Sequence, residues 1–305
     1  VLIGFAVPGS GAWATPDNQV RVARRADELG YHSVWTLQRV LNPAGSDDRT
    51  YRGVPDPFIT LAHLAGPTRR IRLGVAVVNL PFYAPPILAK QAATLDRVSG
   101  GRLDLGLGLG WMPEEFAAAG APMERRGARA EEFLAVLRAL WSGGPAEFHG
   151  EFYDVPPVVM EPPPVQSPPP VLLGGAAEGA LRRAGRLADG WVSSSRADPT
   201  AIGRSIAVVR DAAERAGRDA SALRFVCRAA VRVRPGGAPT ADRADRRPLT
   251  GSFEEIRGDL DALAVQGVTE AFVDLNFDRE VTGPDADPRA SLDRALAALE
   301  EFAPR

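Results

Sequence analysis

The stretch from Arg70 to Trp111 constrains the fold more than any other part of the chain. A β-branched run, Ile71 to Val78, is followed by a proline-opened helix, by Ser99-Gly100-Gly101-Arg102, and by a second strand, Leu103 to Leu109. Gly106, Gly108 and Gly110 recur every two residues and share one face of that second strand, while Leu105, Leu107 and Leu109 share the other. A strand–helix–strand unit of this kind implies parallel pairing through a right-handed crossover. The glycine face admits two readings: space for a bulky neighbour in a filled barrel, or room for a flat ligand against the backbone. Gly110 and Trp111 stand at the strand end, where α/β sites form, and there the ligand reading is the stronger one.

The same rhythm runs through the whole chain. Strands are expected at Leu2 to Val7, Ser33 to Leu37, Ile71 to Val78, Leu103 to Leu109, Val171 to Leu173, Trp191 to Ser193, Phe225 to Val233 and Ala271 to Leu275. Helices are expected at Asn18 to Leu29, Asp56 to Ala65, Pro86 to Val98, Ala128 to Trp141, Glu178 to Leu187, Pro199 to Ala216, Phe253 to Val265 and Arg289 to Phe302. Eight strands alternating with eight helices predict an α/β fold, a single (β/α)8 TIM barrel over residues 1–305. The proline-rich stretch Gly143 to Pro170 reads as a surface insertion after strand four, and Pro235 to Pro248 as a mobile loop. An open doubly wound sheet is the alternative, but no GxGxxG or Walker-type glycine pattern falls between a strand and a helix to support it.

Several function classes are disfavoured. A net charge of -2 and a pI near 6.0 leave no electrostatic footprint for nucleic acid or an anionic membrane. No apolar run approaches the roughly 20 residues that span a bilayer, and no leader segment is visible, so a cytoplasmic location is expected. Cys227 is the single cysteine and lies in an apolar run, as a small core residue would. His32, His63 and His149 do not pair at strand ends, so no metal site is expected. Lys90 lies on a helix, where a Schiff-base lysine is not expected, and no serine or cysteine sits on a nucleophile elbow.

What remains is a glycine-lined slot, an anion cradle and loop aromatics. Gly174-Gly175-Ala176-Ala177-Glu178 joins a strand to a helix with small residues, so that backbone N–H groups can converge on a phosphate; a tight turn is the simpler alternative. Trp13, Trp35, Phe82 and Trp111 are the aromatics near strand ends. So few acid–base groups suit an enzyme whose cofactor carries the reaction, with a flat redox ring and a phosphate-bearing tail.

Leu73-Gly74, the run from Leu95 to Arg102, Leu105 to Trp111, Pro169-Pro170-Val171 and Ala188-Asp189-Gly190-Trp191, in this order, resemble the bacterial luciferase-like family. Within it the chain looks most like the branch using the deazaflavin coenzyme F420; the other large branch uses reduced FMN with oxygen. The resemblance implies a cofactor ring against a bulge at the end of strand three, often bearing a non-proline cis peptide, with Ala76, Val77 and Asn79 at the matching positions. It also implies phosphate binding by the amides of Gly174, Gly175, Ala176, Ala177 and Glu178, and Gly108, Gly110 and Trp111 beside the ring or its chain. Where many members carry Asp-His after strand two, this chain has Gln38-Arg39. Arginine is no general acid near neutral pH but can bind an anion or polarise a carbonyl.

The resulting expectation is an F420-dependent oxidoreductase passing hydride to or from a C=C, C=O or C=N bond of a small organic molecule. Gln38 is then a cofactor neighbour, Arg39 orients substrate, Glu115 donates the proton, and Trp13 and Phe82 wall the substrate. The alternatives are an FMN-dependent, oxygen-using monooxygenase and a non-catalytic binding or subunit-partner protein of the same fold. A homodimer is expected from the resemblance.

Overall fold

Eight parallel strands close into a barrel in the computed structural model, which describes residues 1–46, 50–234, 240 and 246–304. The barrel strands are β1 (Leu2–Ala6), β2 (Ser33–Thr36), β3 (Arg72–Asn79), β4 (Leu103–Gly108), β5 (Val171–Gly174), β6 (Gly190–Val192), β7 (Arg224–Ala230) and β8 (Glu270–Asp274). Each pairs with its sequence neighbour, and β1 pairs with β8, leaving no open edge. This closure excludes the open-sheet alternative and gives the TIM barrel.

The helices are α1 (Pro16–Glu28), α2 (Pro57–Ala65), α3 (Pro85–Ser99), α4 (Pro113–Ala118), α5 (Arg126–Leu140), α6 (Glu178–Leu187), α7 (Ile202–Arg215), α8 (Phe253–Val265), α9 (Arg279–Thr282) and α10 (Pro288–Glu301). Local chemistry sets their starts. Thr15, Asp56, Ser252 and Asp287 each accept a first-turn amide at the heads of α1, α2, α8 and α10. Ser252 and Glu255 cap each other's backbone reciprocally. α7 starts three residues later than expected because Asp198 accepts from the Thr200 amide and hydroxyl, closing a turn first. No helix among the described residues is long and apolar enough to cross a membrane.

Two apolar layers result. Between strands and helices lies the large core, with Leu105 and Leu107 of β4 fully buried in it. Inside the barrel a smaller cluster holds Trp35 stacked on Phe272, with ring centroids 5.0 Å apart. Gly74 is required there: a Cβ would stand 2.4 Å from the Trp35 ring.

The N-terminal end of the barrel is sealed by charge. Asp104 receives Arg72 and Arg224, each at 2.6 Å, and Arg224 reaches Glu270 at 2.9 Å. Ser33 and Trp35 donate to the same Glu270 carboxylate. Burial raises the Asp104 pKa, but the hydrogen bonds from Arg72 and Arg224 outweigh burial and hold it below the ordinary carboxylate value. A folded pKa below the unfolded one gives stability that is present above about pH 4 and is lost as pH falls through the folded value. The expected outcome is a steep fall in stability below pH 4 that flattens in Asp104→Asn, read by urea denaturation across pH; an unchanged slope would remove Asp104 from the acid response.

The insertion and the loops differ in part from expectation. Residues 143–170 contain an antiparallel hairpin, Pro145–His149 with Asp154–Val159. Asp96 of α3 ties down the end of the insertion by accepting from the Val165 and Gln166 amides at 2.7 and 2.8 Å. The single strand expected from Phe225 to Val233 divides: β7 ends at Ala230, and Arg232–Val233 pairs instead with Thr250–Gly251. Most of the expected loop 235–248 lies outside the described residues.

Candidate active site

A cavity of about 360 Å³ opens at the C-terminal ends of β2 to β7. Its floor is a bulge in β3, where the register with β4 slips between Val75 and Val78 and the Ala76–Val77 peptide bond is cis. The alternating glycines of β4 accommodate that bulge. A Cβ on Gly106 would stand 2.0 Å from the Val75 carbonyl oxygen, and one on Gly108 would stand 2.5 Å from Cγ2 of Val77. Gly106 therefore serves strand packing, while Gly108 both admits Val77 and borders the cavity. Gly110, with φ 69°, and the half-exposed Trp111 continue the same wall.

Gln38 and Arg39 form the opposite wall. The Gln38 amide is already engaged: its oxygen accepts from the Asn79 backbone at 2.9 Å and its nitrogen donates to the Tyr83 hydroxyl at 2.8 Å. It fixes the end of β3 relative to β2, and both Gln38 and Asn79 line the cavity. Arg39 is buried, with its guanidinium carbon 4.4 Å from the Tyr51 ring centroid and 5.0 Å from that of Trp111. Its Nη1 donates to Glu115 at 2.8 Å, and its Nε has no partner.

Glu115 corrects an expectation. It is 2 % exposed, lies outside the cavity lining, and accepts from the Val40 and Leu41 amides at 2.7 and 3.2 Å as well as from Arg39. A carboxylate so engaged holds an arginine in place; it presents no proton to a ligand. Trp13 is a second correction, because it is fully buried in the core and is not part of the lining of this cavity. Phe82 also stands behind the lining, edge-on to Phe116 with centroids 5.1 Å apart. Trp13 turns its apolar area wholly into the core, while Phe82 stays partly exposed outside the lining.

On the third side, Gly174, Gly175, Ala176 and Ala177 line the cavity ahead of α6. Gly175 has φ 125°, and a Cβ there would stand 2.7 Å from Ala180 Cβ. The Trp191 indole donates to the Gly175 carbonyl at 2.8 Å and pins the turn. Ala177 is the N-cap and supplies no side-chain acceptor; the Ala180 amide donates to the Ala177 carbonyl at 2.8 Å, and the Glu178 and Gly179 amides are left for water or an anion. The Glu178 side chain is exposed, pairs with Arg182 and stays outside the lining, so only its amide belongs to this turn.

Tyr51, Arg126, Ser193, Ser194, Ser195 and Arg228 line the cavity without having been expected there. Arg228 is the most informative of them. It is buried, donates from Nη2 to the Ala76 carbonyl, and lies 3.7 Å from Asp274. Burial raises the Asp274 pKa, against the Arg228 charge. Arg228 Nε and Asp274 Oδ2 both lack hydrogen-bond partners. The available signal was an arginine within an otherwise apolar barrel strand, which burial permits only with partners or a task. Arg39, Arg126 and Arg228 are the charged side chains of the described lining, and no carboxylate accompanies them there. No cluster of metal ligands occurs among the described residues.

The barrel, its β3 bulge and its C-terminal cavity agree with the comparison of sequence profiles. The profile described as luciferase-like monooxygenase matches residues 2–295. The chain belongs to the luciferase-like monooxygenase family. An uncharacterized protein of Mycobacterium tuberculosis strain H37Rv, Rv0940c, is 38 % identical over 212 residues, covering 65 % of this chain and 72 % of that protein. The oxygenase component of a flavin-dependent trigonelline monooxygenase from Acinetobacter baylyi is 33 % identical over 142 residues, covering 46 % of this chain and 37 % of that protein.

Among solved structures, the monooxygenase RslO1 from Streptomyces bottropensis superposes with a TM-score of 0.81 at 24 % identity, covering 99 % of this chain and 98 % of its own. An F420-dependent secondary alcohol dehydrogenase, in complex with an F420–acetone adduct, gives 0.78 at 17 % identity, covering 98 % of each chain. At such identities these two likenesses establish the shared (β/α)8 barrel fold.

Proposed function

We propose that this luciferase-like protein is an F420-dependent oxidoreductase acting on a small organic substrate. The deazaflavin ring, when bound, supplies hydride exchange with a C=C, C=O or C=N bond. The observation that carries the reading is the shape and lining of one cavity: a glycine-bordered slot, an uncapped helix start, and three lining arginines, of which Arg39 and Arg228 are braced from behind by Glu115 and Asp274. The lining fits a planar ring with a phosphate-bearing tail. Gly108 and Gly174 leave the slot open beside Val77, and the α6 amides with their helix dipole favour an anion.

The protein's own groups then divide the work. Val77 and the Ala76 carbonyl, held by Arg228, form a fixed floor. Arg39 presents a cation whose position is set by Glu115 and two aromatic faces, and it orients an anionic or carbonyl group of the substrate. Tyr51, in the same lining, carries a ring hydroxyl that can pass a proton to the substrate. Holding the reacting groups near contact contributes several kcal/mol through orientation, on the order of 7–11 kcal/mol at best.

Oxygen-dependent chemistry with reduced FMN is the second reading, favoured by the sequence likeness to the trigonelline monooxygenase component. A two-arm assay separates them. One arm follows reduced F420 by absorbance, without oxygen, against a panel of C=C, C=O and C=N compounds. The other follows oxygen uptake with a flavin reductase and FMN. The account expects substrate-dependent F420 oxidation in the first arm; substrate-dependent oxygen uptake in the second arm alone would replace it with the monooxygenase reading. The same reading has the protein as a homodimer, which sedimentation velocity checks.

A further inference from the structure

A second cavity, of about 870 Å³, lies beside the first on the β6–β8 side of the barrel mouth. Tyr51 and Ser195 line both, so the two spaces adjoin. Its charged lining is of one sign. Arg196, Arg232, Arg247 and Arg279 all border it, and no aspartate or glutamate does among the described residues. No ion pair among the described residues involves any of the four, whereas two nearby arginines are paired, Arg246 with Asp259 and Arg294 with Glu280.

Asp278, outside the lining, offsets part of the Arg232 charge, but the four like charges around the cavity still repel one another, and an anion placed among them turns that repulsion into attraction. Arginine is the side chain suited to the task, since its planar fork grips carboxylate and phosphate oxygens in pairs. Thr50 and Thr250 add hydroxyl groups to the lining. Ser195 and Thr282 also border it, and one side is apolar: Phe277 stands edge-on to Tyr51, with centroids 6.0 Å apart, beside Pro248 and Pro284. The combination suits an organic body bearing more than one negative charge. Arg196 also lies 5.9 Å from the Trp111 ring, linking the cationic cavity to the wall of the first one.

We propose that this second cavity binds the anionic end of the substrate, through carboxylate or phosphate groups, while the uncharged reacting end passes Tyr51 into the first cavity. Naming the ligand as the substrate rests on the oxidoreductase reading; the affinity for anions does not.

Calorimetric titration of the full chain, without cofactor and at low salt, tests the site with citrate, inorganic pyrophosphate and neutral glycerol. The expected result is binding of at least one anion that persists in Ala177→Asp, where the α6 turn is blocked, no binding of glycerol, and weakening as sodium chloride is added. Citrate alone would specify carboxylates, and pyrophosphate alone would specify phosphates. The double variant Arg232→Ala with Arg279→Ala, both exposed side chains, should lower anion affinity by at least about tenfold at an unchanged melting temperature. Binding of neither anion, or equal binding by the double variant, would overturn the proposal. The double variant should keep the F420 affinity of the parent; a parallel loss would overturn the assignment to the substrate and give the cavity to the cofactor. Anion binding by a protein that takes up neither F420 nor FMN would leave the anion site standing and overturn the oxidoreductase reading instead.

Discussion

Glu115→Ala is expected to destabilise the protein by about 3–5 kcal/mol, the range for removing one partner of a buried ion pair. The pair sits out of reach of solvent. The Arg39 and Glu115 side chains are 4 % and 2 % exposed, so water cannot take over the charge that is left. The loss extends beyond Arg39, because the Val40 and Leu41 amides also lose their acceptor. Glu115→Gln should cost less, since its carbonyl oxygen can still serve those amides. Replacing both charges, as in Arg39→Met with Glu115→Leu, should recover much of the stability while abolishing any role of Arg39 toward substrate. Urea denaturation of the four proteins measures this. A loss below about 1 kcal/mol in Glu115→Ala would place the pair among ordinary surface bridges and contradict the bracing role.

Ala177→Asp is expected to move folding and binding in opposite directions. Ala177 already has the extended backbone of an N-cap, with φ -67° and ψ 145°. An aspartate there can accept from the α6 first-turn amides and should stabilise the helix by about 1 kcal/mol. The same carboxylate occupies the donors assigned to the cofactor phosphate and repels it. Losing two charge-assisted hydrogen bonds, each worth about 1.5–3 kcal/mol, corresponds to an affinity at least about 100-fold lower. A rise in melting temperature with lost F420 affinity would distinguish site blockade from damage to the fold. Unchanged affinity would remove the α6 amides from the cofactor site.

Much of this architecture is legible in the amino-acid sequence, for physical reasons. The bounds of α6 and α8 coincide with those expected, α6 because a clear apolar period follows a glycine turn and α8 because the Ser252–Glu255 capping box marks its start. The β4 glycines announce a close approach, but periodicity cannot say whether backbone, side chain or ligand approaches. The answer differs along one strand: the Val75 carbonyl at Gly106, and the Val77 side chain with the cavity edge at Gly108.

The less legible residues depend on contacts distant in sequence. Tyr51 enters the cavity from well beyond the end of β2, through the long β2–α2 connection. Glu115 reads as a proton donor near the strand-four end, yet the short α4 turns it inward to Arg39, 76 positions away. Trp13 looks like a loop aromatic over the mouth and is core. The cationic second cavity gathers Arg196, Arg232, Arg247 and Arg279 from four separate segments, and no local pattern joins them.

The central claim is that the cavity at the C-terminal end of the barrel holds a phosphate-bearing redox ring. Its most direct test is a paired fluorescence titration of the purified protein with F420 and FMN, each oxidised and reduced. The account predicts saturable 1:1 binding of F420, micromolar or tighter, and its loss in Ala177→Asp. Selective binding of reduced FMN would keep the site and change the chemistry to that of a monooxygenase. Binding of neither cofactor in any redox state would contradict the claim and leave a non-catalytic luciferase-like barrel.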